Sequence, residues 1–252
     1  MQLLLDIGNT RIKWATVDAE GLGLTSAIAH AGLGVAQMRT SILSAVAAKP
    51  RRVLIANVAG PAIADRLSAA IEAQWGLTPT FIQASAAAGH IRSGYEKPEQ
   101  LGVDRWLAAI SAYDMANGAV CVASIGTAMT VDAVDETGQH LGGIIVPGPE
   151  LAVNSLLANT SDLSKLSETG AVNATLFADN TLGALRQGAA HTLAAVIERA
   201  HHDLGTRGQQ DPLLVITGGA SDQVTGALRI PFRVVPDLVL RGLAAIANTG
   251  GE

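Results

Sequence analysis

Residues 3–18 read LLLDIGNTRIKWATVD, and residues 120–135 read VCVASIGTAMTVDAVD. Each is an apolar run, a short polar turn holding a glycine, and a second run in which apolar residues alternate. Asp6-Ile7-Gly8-Asn9-Thr10 makes the first turn, and Ser124-Ile125-Gly126-Thr127-Ala128 stands at the same place in the second copy. The pattern predicts strand, tight turn, strand, with glycine where backbone must turn or come close to a ligand. Two copies predict two similar α/β halves, residues 1–115 and 116–252, facing each other across a cleft. A phosphate held between two such turns is the natural use of that cleft.

Outward from these turns, the same element order follows each copy. Strands are expected near 2–6, 10–17 and 24–30, a helix near 34–48, a strand at 52–57, a helix near 61–75 and a strand near 79–83. In the 61–75 helix Ile63, Leu67, Ile71 and Trp75 recur at i+4 and form one apolar face. Residues 84–100 have weak periodicity and read as a functional loop or rim. A helix near 101–117 leads into strands near 119–124, 128–134 and 140–146 and a helical segment over 150–158. Residues 159–180 read as a polar loop, followed by a long helix over 181–204. A strand at 213–217, a helix near 219–227, a strand near 232–235 and a closing helix near 238–248 finish the chain.

Composition sets the outer bounds. Of 252 residues, 48% are hydrophobic and 15% charged, a balance that describes a well-buried globular chain rather than a disordered one. A net charge of −5 argues against a nucleic-acid binder, though local donors can still hold an anionic substrate. Cys121 stands alone in an apolar strand, so it reads as a packed small hydrophobe and fits a reducing compartment. No charged leader with an apolar core is evident, and no apolar stretch is long enough to cross a bilayer uninterrupted, so a cytoplasmic protein is expected. The six histidines have no metal-ligand spacing.

Several residues can carry chemistry. Asp6 ends a buried strand, so its carboxylate can project into a cleft and hold a hydrated Mg²⁺ that bridges phosphate oxygens. Backbone N–H groups of Gly8 and Asn9, the Thr10 hydroxyl and the Lys13 ammonium can meet the phosphates, although Asp, Gly, Asn and Thr are also ordinary turn residues. Asp104, at the start of a helix, either complements the helix N-terminus or accepts a hydroxyl proton as that oxygen attacks a γ-phosphate. Arg105 can pair with a phosphate or a substrate carboxylate, and Trp106 reads as core. Thr217-Gly218-Gly219 and Gly142-Gly143 are places for close backbone approach or plain turns. There is no GxxxxGK[ST] and no GxGxxG, so neither a P-loop nor a Rossmann site is present.

Taken together, Asp6–Trp14, Gly94-Tyr95, Gly102-Val103-Asp104-Arg105, Gly126-Thr127-Ala128, Gly142–Gly148 and Thr217-Gly218-Gly219 resemble the type III pantothenate kinases. The resemblance runs in order over nearly the whole chain. It implies the actin-like, sugar-kinase and Hsp70 superfamily, with two duplicated ribonuclease-H-like halves of mixed sheets flanked by helices. The implied reaction is ATP-dependent phosphorylation of pantothenate to 4′-phosphopantothenate, the first step of coenzyme A synthesis. By the same resemblance, Asp6, Ile7, Gly8, Asn9, Thr10, Arg11, Ile12, Lys13 and Thr127 bind ATP. Tyr95, Gly102, Val103, Asp104, Arg105 and Thr181 bind pantothenate, with Asp104 as proton acceptor. A homodimer, a divalent metal and a monovalent cation (K⁺ or NH₄⁺) are also implied.

One departure stands out. Many members carry Asp two residues before the Gly-Thr, where it ligates the monovalent cation; here that residue is Ser124, a hydroxyl without charge. Asp132 is the carboxylate that remains nearby. Some relatives are described as transcription accessory factors, so a regulator that keeps the fold without the catalysis is the alternative, as is a kinase for another small alcohol.

Overall fold

The computed structural model describes residues 1–116, 118–159, 176–208 and 211–249. Two units emerge, Met1–Met115 together with the segment from Asp237 onward, and Ala116–Pro236.

In the first unit, β1 (Gln2–Ile7) and β2 (Arg11–Asp18) form an antiparallel hairpin. Two short strands, β3 (Gly21–Leu22) and β4 (Ser26–Ala29), pair along β2. After α1 (Val35–Ser41), β5 (Val53–Asn57) joins β1 in parallel; α2 (Pro61–Trp75) then leads to β6 (Thr80–Phe81), parallel to β5. A small hairpin, β7 (Ala87–Ala88) with β8 (Ile91–Arg92), precedes α3 (Val103–Ala116).

The second unit repeats the scheme. Strands β9 (Val120–Ile125) and β10 (Ala128–Val134) form the hairpin, and β11 (His140–Pro147) extends it. After α4 (Pro149–Asn159) and α5 (Thr181–Gly205), β12 (Leu213–Thr217) joins β9 in parallel. The short α6 (Asp222–Thr225) leads to β13 (Arg233–Val234), parallel to β12. The sheet orders β3-β2-β1-β5-β6 and β11-β10-β9-β12-β13 therefore follow one plan.

Alternation along the strands decides what each face meets. Leu3, Leu5, Ile7, Ile12, Trp14, Val53 and Ile55 pack against Met38 of α1 and Ile63, Leu67 and Ile71 of α2. In the second unit, Cys121, Ala123, Ile125, Met129 and Val131 pack against Leu193, Ala194 and Ile197 of α5. Cys121 is buried as expected. Within β1 only Asp6 is less than buried, and within β9 only Ser124, so the two occupy the same point of the repeated plan.

Sequence order alone put the closing helix with residues 116–252, and the structure places it differently. Helix α7 (Leu238–Thr249) lies on β1, β2 and β5 of the first sheet, burying Leu238, Leu240, Leu243 and Ala247 there. Gln2 Nε2 donates to the Ala247 carbonyl at 3.5 Å, which puts α7 on the sheet face that carries Gln2, Leu4 and Asp6. Gly242 lets α7 touch α3, since a Cβ there would fall on the Leu107 carbonyl. Helix α7 thus covers the face on which Asp6 emerges, and α3 packs against α7.

Smaller differences are local. The expected helix over 34–48 is only α1 followed by a 3₁₀ turn at Leu43–Ala45, because the helix ends at Ile42. The expected rim over 84–100 contains the β7–β8 hairpin and a 3₁₀ turn at Pro98–Gln100. Most of the expected 159–180 loop lies outside the described residues. No helix among the described residues is long and apolar enough to cross a membrane.

Candidate active site

Asp6 is the last even-numbered residue of β1, so it lies on the α7 face of the sheet rather than in the α1–α2 core. Lys13 stands opposite it across the hairpin. Loss of water around the carboxyl pushes the Asp6 pKa up to about 6; Lys13 pulls it down, and the Asp104 carboxylate pushes it further up. Asp6 and Asp104 therefore lie within one local field. This is a carboxylate whose burial is only partly compensated by the protein.

Asp104 sits in the first turn of α3. Its Oδ1 accepts the Arg105 N–H at 2.8 Å, so it complements the helix start. Gly102 makes that placement possible, because a Cβ at 102 would stand 2.8 Å from Asp104 Oδ1. Arg105 is 7% exposed, and its Nη1 donates to the Tyr95 hydroxyl at 2.9 Å. The guanidinium carbon lies 5.7 Å from the Tyr95 ring centre, within cation–π range. Trp106 is fully buried core, as the sequence indicated.

The turn after β1 is informative for what it does not need. Gly8 has no positive φ, and the atom nearest a Cβ built there is the Arg11 carbonyl at an ordinary 3.5 Å. Gly126 in the second turn is alike, with Ala128 O at 3.7 Å. The protein's own backbone and packing tolerate alanine at both places. Neither a left-handed backbone nor a crowded neighbour within the protein requires these glycines.

In the second unit, neighbouring backbone grips the turn. Gly148 N–H donates to the Thr127 carbonyl at 2.9 Å, and a Cβ at 148 would fall on the Gly126 carbonyl. Gly218 has φ of +101° and lies on the Ile125 backbone, while Ala220 N–H donates to the Ile125 carbonyl at 3.0 Å. At Gly148 and Gly218 the close approach is made by the protein's own backbone rather than left open for a ligand. Thr127 is exposed on this turn. Thr181 opens α5, whose N-cap Asn180 Oδ1 accepts the Gly183 N–H at 2.7 Å. Asp132, the spare carboxylate, is buried and accepts from His140 Nε2 at 2.9 Å.

Among the described residues no three His, Cys, Asp or Glu side chains gather around a metal position. The buried, partly compensated carboxylate of Asp6 would suit a divalent cation arriving with phosphate.

Comparison with known proteins decides the family. A family model for type III pantothenate kinase matches residues 2–203. A type III pantothenate kinase of Nitrosococcus oceani is 35% identical, covering 98% of this chain and 94% of that protein. One from an Azoarcus strain is 41% identical, covering 98% and 90%.

The chain belongs to the type III pantothenate kinase family.

It is accordingly a phosphotransferase with an alcohol acceptor. Solved structures of distant proteins share its fold. A putative 2-dehydro-3-deoxygalactonokinase from Sinorhizobium meliloti superposes with a TM-score of 0.63 at 14% identity, covering all of both chains. A putative Baf family transcriptional activator from Campylobacter jejuni gives 0.62 at 19% identity, covering 99% of this chain and all of that one. The fold is thus the mixed α/β type, with sheets flanked by helices, that the family resemblance implied.

For this pantothenate kinase family member, the first unit brings Asp6, Lys13, Asp104, Arg105 and Tyr95 into one connected set. Thr127 and Thr181 belong to the second unit. His30 is a residue that sequence reading passed over. Its Nε2 lies 2.8 Å from the Gly8 carbonyl, a bond spanning 22 positions that no local pattern announces.

Proposed function

We propose that this chain transfers the γ-phosphoryl group of ATP to the primary hydroxyl of pantothenate, with Asp104 accepting the hydroxyl proton. The observation that carries this reading is the shared field of Asp6 and Asp104, which ties the phosphate-facing hairpin to a carboxylate from another element. In-line transfer needs such a pair: one side to hold the phosphates and one to receive a proton.

The residues divide the work. Gly8, Asn9 and Thr10 present backbone and hydroxyl donors to the phosphates, flanked by Ile7, Arg11 and Ile12, and Lys13 adds positive charge. Thr127 offers a second contact to ATP. A Mg²⁺ ion arriving with ATP would be held by Asp6 and would neutralise charge on the phosphate oxygens. Arg105 takes the pantothenate carboxylate, oriented by Tyr95, and the Gly102-Val103 backbone lines that side; Thr181 is the further pantothenate contact that the family resemblance implies. Asp104 orients the hydroxyl and removes its proton as the bond to the γ-phosphorus forms and the bond to ADP breaks.

Three further properties complete the reading. Ser124 puts a neutral hydroxyl where a charged ligand would bind a monovalent ion, and Asp132 is engaged by His140, so activation by K⁺ or NH₄⁺ is weak. A homodimer is supported by exposed apolar side chains, Ile144 and Ile145 on edge strand β11 and Leu151 and Leu156 on α4. The expected compartment is the cytoplasm.

The test is ADP release from ATP and Mg²⁺, with and without pantothenate, and with and without K⁺ or NH₄⁺. Pantothenate-dependent release supports the kinase. Silence under every ion, with ATP bound, supports a regulator of the same fold.

A further inference from the structure

We propose that His30 is a positioning residue for ATP, one that turns the carbonyls of the first phosphate-facing turn away from the phosphates. The inference rests on the reading that residues 8–11 receive those phosphates.

The chain brings His30 to the turn by strand pairing. Strand β4 runs antiparallel to β2 and ends with Ala29 opposite Arg11. His30 follows directly, and its N–H donates to the Thr10 carbonyl at 3.3 Å. Its side chain then reaches across the turn, and Nε2 meets the Gly8 carbonyl at 2.8 Å. A carbonyl oxygen only accepts, so Nε2 carries the proton in this bond. His30 is itself held, since its carbonyl accepts the Leu33 N–H at 3.1 Å. One residue thus ties two carbonyls of one turn.

The consequence follows from peptide geometry. A trans peptide is planar, with its C=O and N–H pointing in opposite directions. Drawing the Gly8 carbonyl toward His30 therefore directs the Asn9 N–H the other way, and Asn9 is exposed. A free carbonyl could rotate toward an anion and repel it; a bonded one keeps the donor presented.

The second turn supplies an internal comparison. Its register closes at Ile125 opposite Met129, one residue tighter than Ile7 opposite Ile12. There the Ile125 and Thr127 carbonyls are bound by backbone N–H groups of Ala220 and Gly148. Ile7, the counterpart of Ile125, likewise gives its carbonyl to a backbone N–H, that of Val58 at 3.0 Å. The Gly8 and Thr10 carbonyls inside the longer turn are the ones that His30 holds.

The experiment measures equilibrium ATP binding and steady-state kinetics on the full chain carrying His30→Ala, His30→Gln or His30→Glu. Glutamine can place a donor near Nε2, whereas ionised glutamate only accepts. Loss of one such bond predicts that His30→Ala and His30→Glu weaken ATP binding about five- to ten-fold or more. The KM for pantothenate should stay within about two-fold and kcat at saturating ATP should fall less than ATP affinity. His30→Gln should recover most of the loss. Equal ATP affinity in the Gln and Glu variants overturns the proposal, and this pair decides the matter even if His30→Ala does not fold. Lys13→Ala is measured alongside. If it weakens ATP binding while the His30 variants do not, only the role of His30 falls. If neither changes ATP binding, the phosphate-turn reading beneath it falls as well.

Discussion

The carboxylate of Asp104, at the start of α3, acts electrostatically on the carboxylate of Asp6, at the end of β1. Nearly a hundred residues separate them in sequence. Asp6 emerges from the sheet face that α7 covers, and α3, which carries Asp104, touches α7 at Gly242. The Asp104 charge adds to the cost of ionising Asp6, a cost that burial dominates. A cation and an alcohol between them would turn that cost into binding and catalysis.

Asp6 should make ligand-free stability depend on pH. Its folded pKa, about 6, lies above the ordinary value of 3.8, so between those pH values the folded chain holds a proton the unfolded chain has released. Stability therefore falls as pH rises through this window, and the loss is complete above it. Asp6→Asn should be more stable than wild type at pH 7.5, by on the order of 2 kcal/mol, with the gap closing toward pH 4. Thermal melts at the two pH values check this, and ATP turnover should be lost in the same variant.

Gly8→Ala separates a turn requirement from a ligand requirement. Because a Cβ fits at 3.5 Å and φ is not positive, the ligand-free melting temperature should change by no more than about 2 °C. ATP affinity should fall about ten-fold or more, since the methyl occupies the space a phosphate uses. Equilibrium binding and a thermal melt on one preparation report both.

Gly102→Ala should act through its neighbour. The new methyl would crowd Asp104 Oδ1 from 2.8 Å and force the carboxylate to move. Displacing a reacting group by about 1 Å can cost up to about 10²-fold, so kcat should fall at least about ten-fold with ATP binding preserved. Single-turnover kinetics distinguish this from a binding defect.

Tyr95→Phe removes the hydroxyl that receives the Arg105 Nη1 hydrogen bond. The guanidinium then loses one of its restraints. The KM for pantothenate should rise about five- to ten-fold while the KM for ATP stays put. Arg105→Lys should be worse than Tyr95→Phe, because an ammonium cannot keep the planar two-donor geometry.

What the sequence disclosed, and what it hid, follows from the range of the interactions. Hairpins β1–β2 and β9–β10 were legible because strand alternation and turn residues are local, and the repeat showed the doubled plan. Asp6 and Asp104 were legible as candidates because each sits at an element end. That Asp104 acts on Asp6 was not, since it depends on tertiary packing between elements far apart in sequence. Helix α7 was misplaced for the same reason: its apolar face fits either sheet by pattern, and only packing chooses. His30 was invisible because its partner is a backbone carbonyl 22 positions away. The small β7–β8 hairpin carries Ala and Arg without strong alternation, so it read as loop.

The most direct test of the account is pantothenate phosphorylation by Asp104→Asn, measured beside its ATP and pantothenate binding. Asparagine keeps an oxygen for the Arg105 N–H, so the helix start and both affinities should survive. The account predicts kcat lower by roughly 10²–10⁴-fold, the range for a positioned acid or base. Turnover close to wild type in a folded Asp104→Asn protein would contradict it.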